Sequence, residues 1–305
     1  MRQVALLVIL AAILIVFSIV NPNFLSSNNL INVTRQMSVL LTIGIGFTFV
    51  MLSGEIDLSV GSILGLSTVI FALAMRETGN NSIVCIIITL IVGCFAGLLN
   101  GILVTKVGIH SFLVTMATLG LYRGITYTII QGGKIPVFHP PFSKALGVGL
   151  LGIIPLPFIY VMAILAIMHL VLKKSLFGNQ VYIVGGSERV ARYSGIKTKQ
   201  TKLVSFLISG TLCAFAGILI VATVEMGIPS LGEGKEIDAV FVVVLGGCRL
   251  TGGWGTLPGV FLGVVVISIL INGLTMLGAN YHMILFVKAC LLLFVIWLDT
   301  KIRNK

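Results

Sequence analysis

Charge is the scarcest resource in this chain. Of 305 residues, 10% are Asp, Glu, Lys or Arg and only nine are acidic, while 57% are hydrophobic. A soluble domain carries about a quarter charged residues, so a water-soluble fold is excluded, and with it a hidden catalytic domain. The five cysteines, Cys85, Cys94, Cys213, Cys248 and Cys290, sit singly in apolar runs without Cys-x-x-Cys spacing. They read as small lipophilic fillers rather than a redox or metal site. The four histidines, His110, His139, His169 and His282, share no metal-ligand spacing, and no Gly-x-Ser-x-Gly elbow is present, which leaves an intramembrane hydrolase little support. A Gly-x-x-x-x-Gly-Lys-Ser/Thr loop is also missing, so ATP hydrolysis by this chain alone is not expected.

What the chain has in quantity is long apolar runs. They lie at about Val4 to Val20, Met37 to Ser53, Val60 to Met75, Ile83 to Val104, His110 to Ile130, Ile153 to Leu172, Leu203 to Val224, Asp238 to Gly246, Leu257 to Leu277 and Tyr281 to Leu298. Roughly 20 apolar residues cross about 30 Å of hydrocarbon, so the sequence predicts an all-α polytopic membrane protein with about ten transmembrane segments. The first run exceeds a signal-peptide core and no small-x-small cleavage site follows it, so it reads as a spanning helix. The run after Asp238 is only about half a bilayer long and follows "GIPSLGEGKEID". Irregular backbone is tolerated at membrane depth only where protein or a water-filled cavity satisfies it, so this half-length helix should line a pathway.

The positive charges set the expected orientation. Residues 173–202 carry Lys173, Lys174, Arg189, Arg192, Lys197, Lys199 and Lys202 against a single acid, Glu188, which marks a cytoplasmic segment. Lys301, Arg303 and Lys305 place the C-terminus inside by the same bias, and Arg2 places the N-terminus there. Both termini on one side require an even number of crossings, which ten satisfies. The net charge of +11 is therefore read as a topology signal, and no nucleic-acid partner is expected.

The two halves share an order of landmarks. Glu55-Ile56-Asp57, an apolar run, glycines at 93, 97 and 101, Asn100-Gly101 and His110 come first; Glu236-Ile237-Asp238, a short apolar run, glycines at 255, 259 and 263, Asn272-Gly273 and His282 follow. The predicted crossings give these units opposite directions, so residues 37–131 and 203–298 form candidate inverted four-helix repeats around a discontinuous helix. Both glycine ladders are expected to pack neighbouring backbones closely.

Polar residues stranded in apolar sequence are the candidate pathway or gate groups: Glu55, Asp57, Ser59, Asn100, Arg123, Glu236, Asp238 and Asn272. A carboxylate near the bilayer centre costs roughly 2.5–3.5 kcal/mol. Two readings stay open for the acids: Asp57 and Asp238 cap helix starts, or they contact a polar substrate or gate. Arg123 in "TLGLYRGITY" should pair, snorkel or face a cavity.

Several longer stretches then carry a resemblance. "LSGEIDLSVGSILGL", "FLVTMATLGLYRG", "SLFGNQVYIVGGSERVARYSGI", "AFAGIL" and "EIDAVFVVVLGGCRLTGGWGTLPGVFLG" resemble, in order and over nearly the whole chain, the permeases of bacterial ribose-type ABC sugar importers. "SLFGNQVYIVGG" with "GGKIPVFHPPF" looks most like permeases of furanose-type importers, and sister pentose, hexose and quorum-signal importers share much of the pattern.

The resemblance implies one transmembrane permease domain over residues 1–305 in the inner membrane. It also implies a second permease chain, identical or different, two cytoplasmic ATPase subunits and a periplasmic or extracellular sugar-binding protein. By it, ATP and Mg are used in the partners and no cofactor or metal is bound here. In that family the stretch matching "GGSERVARYSGI" is a short coupling helix that docks on the ATPase. Gly185, Gly186, Glu188, Arg189, Ala191, Arg192 and Gly195 fall within it, with Ser187 where Asn is common and Arg189-Val190 where small residues are common. Without the resemblance, the same loop reads first as a topology signal. Besides the importer permease, an ion- or proton-coupled transporter using the carboxylates and a membrane-embedded enzyme remain as alternatives.

Overall fold

The computed structural model describes residues 2–131 and 133–303. Its helices are α1 (Arg2–Val20), α2 (Ser27–Leu52), α3 (Val60–Glu77), α4 (Ser82–Ile102), α5 (Ser111–Ile130), α6 (Pro140–Ser143), α7 (Leu156–Lys174), α8 (Leu176–Gly186), α9 (Glu188–Tyr193), α10 (Thr198–Val224), α11 (Lys235–Leu245), α12 (Leu257–Met276) and α13 (Tyr281–Arg303). Each apolar run is helical. Among the described residues α2, α3, α4 with its following π turn, α5, α7, α10 and α12 are long and apolar enough to cross a membrane, and α1 and α13 hold shorter apolar stretches. The chain is thus an all-α polytopic membrane protein. The Arg2, Lys301 and Arg303 side chains and Lys305, on which the orientation of the termini rests, lie outside the described residues.

Hydropathy misplaces some helix starts. The second run begins at Met37, but α2 starts ten positions earlier, because the Ser26 hydroxyl accepts from the Asn29 amide at 3.4 Å and nucleates a polar first turn. The second glycine ladder is also shorter than expected. Gly255 precedes α12, whose cap is Thr256 accepting from the Gly259 amide at 3.2 Å.

α10 is the axis of the bundle, packed against α2, α3 and α4. Gly93 and Gly97 of α4 make this contact: a Cβ at Gly97 would lie 2.3 Å from the Phe206 carbonyl, and one at Gly93 2.6 Å from the Gly210 carbonyl. Gly259 and Gly263 of α12 press instead on the Gly246 and Val242 carbonyls at the end of α11, so the two ladders grip different partners. Hydroxyls inside the bundle, such as those of Thr42, Thr48, Ser67 and Thr89, donate to the carbonyl four residues back, the local satisfaction that lipid depth demands.

Two short antiparallel ribbons lie outside the helices. β1 (Ile135–Pro136) pairs with β4 (Met226–Gly227), while β2 (Leu150–Leu151) pairs with β3 (Ile154–Pro155). From β4 the chain descends along α3: a Cβ at Gly227 would meet Ala72 and Thr68, the Pro229 carbonyl lies against Gly65, and Gly232 lies against Gly61. α11 starts from that depth, and its 11 residues span about 16 Å, the half-length helix expected from the sequence.

Candidate translocation and coupling site

At the basic end of the bundle, Ser175 caps α8 by accepting from the Gly178 amide at 3.0 Å, and Ser187 caps α9 by accepting from the Val190 amide at 3.3 Å. α8 closes on a glycine crossing. A Cβ at Gly185 would lie 1.8 Å from the Leu52 carbonyl, which already accepts from the Gly253 amide at 3.0 Å. Gly54 and Gly253, at φ +85° and +69°, complete the contact. Three segments far apart in sequence therefore touch backbone to backbone: the end of α2, the end of α8 and the loop between α11 and α12.

α9 is tied to this crossing by charge. Glu188 accepts from Arg192 at 2.7 Å and from Lys202 at 2.6 Å, and Lys202 also meets Glu55 at 2.6 Å. Lys202 thus bridges the short helix to the first Glu-Ile-Asp turn. Ala191 is buried on the inner face of α9, and Gly195 ends the turn at φ +75°. Arg189, Val190 and Tyr193 are exposed.

The hydrogen bond from Lys202 holds the Glu188 carboxyl below the usual glutamate range, against an opposing desolvation effect. A group whose folded-state pKa is depressed contributes stability above its unfolded value and loses it only as pH falls through the folded value. The attachment of α9 is therefore expected to be constant from neutral pH down to the ordinary glutamate pKa of about 4.3 and to weaken below it. A crosslink between introduced cysteines in α9 and α10, followed against pH, checks this; a midpoint near neutrality would contradict it.

The first acidic turn continues inward as a polar network. Asp57 is fully buried and accepts from the Ser59 amide at 3.0 Å, the Ser59 hydroxyl at 2.6 Å and the Ser209 hydroxyl at 3.0 Å. Ser59 in turn accepts from the Asn100 amide at 2.8 Å, and the Tyr122 hydroxyl lies 3.0 Å from the Ala96 carbonyl and 3.4 Å from Asn100 Oδ1. Three hydrogen-bond donors, rather than a cation, hold Asp57. The entry of α3 is thereby joined to α4, α5 and α10.

The second acidic turn reaches the same region from the other side. Glu236 accepts from Arg123 at 3.3 Å, its second oxygen is buried without a partner, and that oxygen fills the space where Gly61 lacks a Cβ. Arg123→Gln alone is expected to cost about 1–3 kcal/mol by stranding a buried carboxylate, and Arg123→Gln with Glu236→Gln to restore most of it. Melting temperatures in detergent test this; equal losses in the single and double variants would sink it.

Asp238 pairs with buried Lys288 of α13 and lies 3.7 Å from Lys235. Unlike Asp57, it faces two ammonium groups and accepts no backbone N–H bond among those of the described residues. Asn272 stands apart from the other candidates, in a reciprocal pair of 2.9 Å bonds with Asn29 that pins α12 to α2.

The structure therefore joins Asp57, Ser59 and Asn100, ties Glu55 to Glu188, and pairs Arg123 with Glu236. Sequence reasoning missed Lys202, Ser209, Tyr122 and Lys288 as partners. Lys288 carries a usable signal, a lone cation in "YHMILFVKACLLLF", whereas nothing in the sequence separates Lys202 from the other basic residues of 173–202.

A bundle of apolar helices with a half-length helix, polar turns at membrane depth and a charged helix clamped at one end is the build of a membrane transport permease. The family described as "Branched-chain amino acid transport system / permease component" matches residues 29–296, and the chain belongs to it. The chain is 36% identical to the ribose import permease protein of Bacillus subtilis (strain 168), over 95% of this chain and 90% of that protein. It is 33% identical to the xylose transport system permease protein of Haemophilus influenzae, over 98% and 96%, and 33% identical to the D-allose transport system permease protein of Escherichia coli (strain K12), over 97% and 91%. No solved structure matches. These relatives are transport subunits, not enzymes.

Proposed function

We propose that this chain is the membrane-spanning permease subunit of an ATP-driven importer and forms the translocation pathway for a monosaccharide, a pentose or hexose. The family description speaks of branched-chain amino acids, but relatives at 33–36% identity over nearly their whole length carry ribose, xylose and allose in their names. The proton-coupled reading finds no support in the site. Glu55, Glu236 and Asp238 each meet a cation, and Asp57 is held by three donors.

In this reading the family's general partners are cytoplasmic ATPase subunits, which use ATP and Mg, and a periplasmic or extracellular sugar-binding protein. A second permease chain, the same or different, completes the pathway. Residues 173–202 lie in the cytoplasm of a bacterial inner membrane with both termini. α9 is the coupling helix, and its exposed Val190 and Tyr193 beside Arg189 suit a protein partner better than water. The reading keeps about ten transmembrane segments, with half-length α11 and its preceding irregular stretch taken as one of them, and two inverted units, residues 37–131 and 203–298. The second point is supported by the packing, since α2 contacts α10, α11 and α12 as α10 contacts α2, α3 and α4.

The observation that carries the mechanism is the Glu188–Lys202–Glu55 chain. A push on α9 moves the first acidic turn, which the Asp57 network ties to four helices, and alternating access follows as rigid-body rocking. Co-purification from native membranes in mild detergent tests it, with ATPase activity measured for wild type and for Glu188→Ala and Arg192→Ala. Co-purification of an ATPase whose activity the variants loosen or uncouple supports the importer; a chain that comes alone, where other complexes survive, overturns it.

A further inference from the structure

Two cavities meet beside the first turn of α11, one of about 170 Å³ and one of about 340 Å³, the latter near the lower end of the range for small-molecule sites. They share the lining residues Gln36, Val39, Ile220 and Lys235. Ser268 lines the first cavity and Arg35 the second, and the Ser268 hydroxyl and the Arg35 Nε are among the few buried polar side-chain atoms of the described residues that lack a partner. Ser268 is 3% exposed and, unlike most hydroxyls in these helices, has not bonded the carbonyl one turn back. A buried polar atom without a partner is unfavourable unless something else satisfies it.

We infer that this space is a transit subsite for one neutral polyhydroxylated ring, an assignment that rests on the importer reading and names its substrate contacts. The lining offers both donors and acceptors, as vicinal hydroxyls require: Lys235 donates, Asp238 accepts, and Gln36 and Ser268 do both. An anion fits less well. The Arg35 Nη groups are already committed to Asn32 at 3.3 Å and the Val148 carbonyl at 2.7 Å, and the Asp238 carboxylate faces the same space. Few, dispersed polar contacts give weak binding, which lets a sugar pass rather than stay.

The test uses the purified complex with native cysteines replaced and Gln36→Cys introduced, labelled by a small polar thiol reagent. Millimolar ribose, xylose or allose is expected to slow labelling several-fold, inorganic phosphate is not, and Ser268→Val is expected to weaken the sugar protection about fivefold. A Cys at exposed Arg76, outside both cavities, serves as the control that labels and that no sugar protects. Labelling that no sugar changes overturns the subsite, and protection by phosphate alone overturns the neutral ligand. Sugar protection without ATP-driven uptake would keep the subsite and remove the importer reading.

Discussion

A side chain at Gly185 is expected to abolish ATP-driven uptake. Its Cβ would sit 1.8 Å from the Leu52 carbonyl and 2.6 Å from the Gly253 amide, both backbone atoms that cannot rotate away. Gly185→Val must therefore either separate α8 from the end of α2 or break the Gly253–Leu52 hydrogen bond. Overpacking of this kind costs about 1–3 kcal/mol or more in a tight core, and here the strain falls where α9 is anchored. Gly186→Ala is the comparison, because a Cβ there meets nothing within 4 Å. Uptake in vesicles should be lost in the first variant and largely kept in the second. Equal uptake in the two would show that the crossing is not a constraint.

The second large effect is expected at Lys202. Lys202→Met keeps most of the side-chain volume but leaves Glu55 and Glu188 without their shared ammonium. Removing one partner of a mostly buried ion pair costs about 3 kcal/mol, and the Glu55 and Lys202 side chains are 11% and 14% exposed. The expected outcome is an assembled complex whose ATPase runs but no longer responds to sugar-loaded binding protein, with uptake reduced more than tenfold at that cost. Lys202→Arg should restore part of the response, since it keeps a donor for both carboxylates. Uptake in Lys202→Met at the wild-type level would end the relay assignment, and failure of Lys202→Arg to rescue would point to packing instead.

Several relationships were beyond sequence patterns for definite reasons. Glu55 and Lys202 are 147 positions apart, and Asp57 and Ser209 are 152 apart, so no local spacing relates them. Their pairing follows from how α10 lies across α2, α3 and α4. Asn100 and Asn272 look equivalent in the two halves, yet one joins the Asp57 network and the other pairs with Asn29. The glycine ladders look alike as well, but one meets α10 and the other α11.

The sequence by itself determined that the chain lives in a membrane, that its apolar runs are helices, that one of them is half-length, and that the stranded acids and Arg123 need partners. Composition and hydrophobic length decide these matters, because hydrocarbon penalises unpaired polar groups wherever they fall. Only the tertiary structure decided which partners the acids find. It made Lys202 a bridge, held Asp57 by two hydroxyls and a backbone amide instead of a cation, and left the Ser268 hydroxyl and the Arg35 Nε buried without a partner. The reason is geometric: those contacts depend on how close two backbones approach, which is set at glycines such as Gly97 and Gly185 by atoms supplied from elsewhere in the chain.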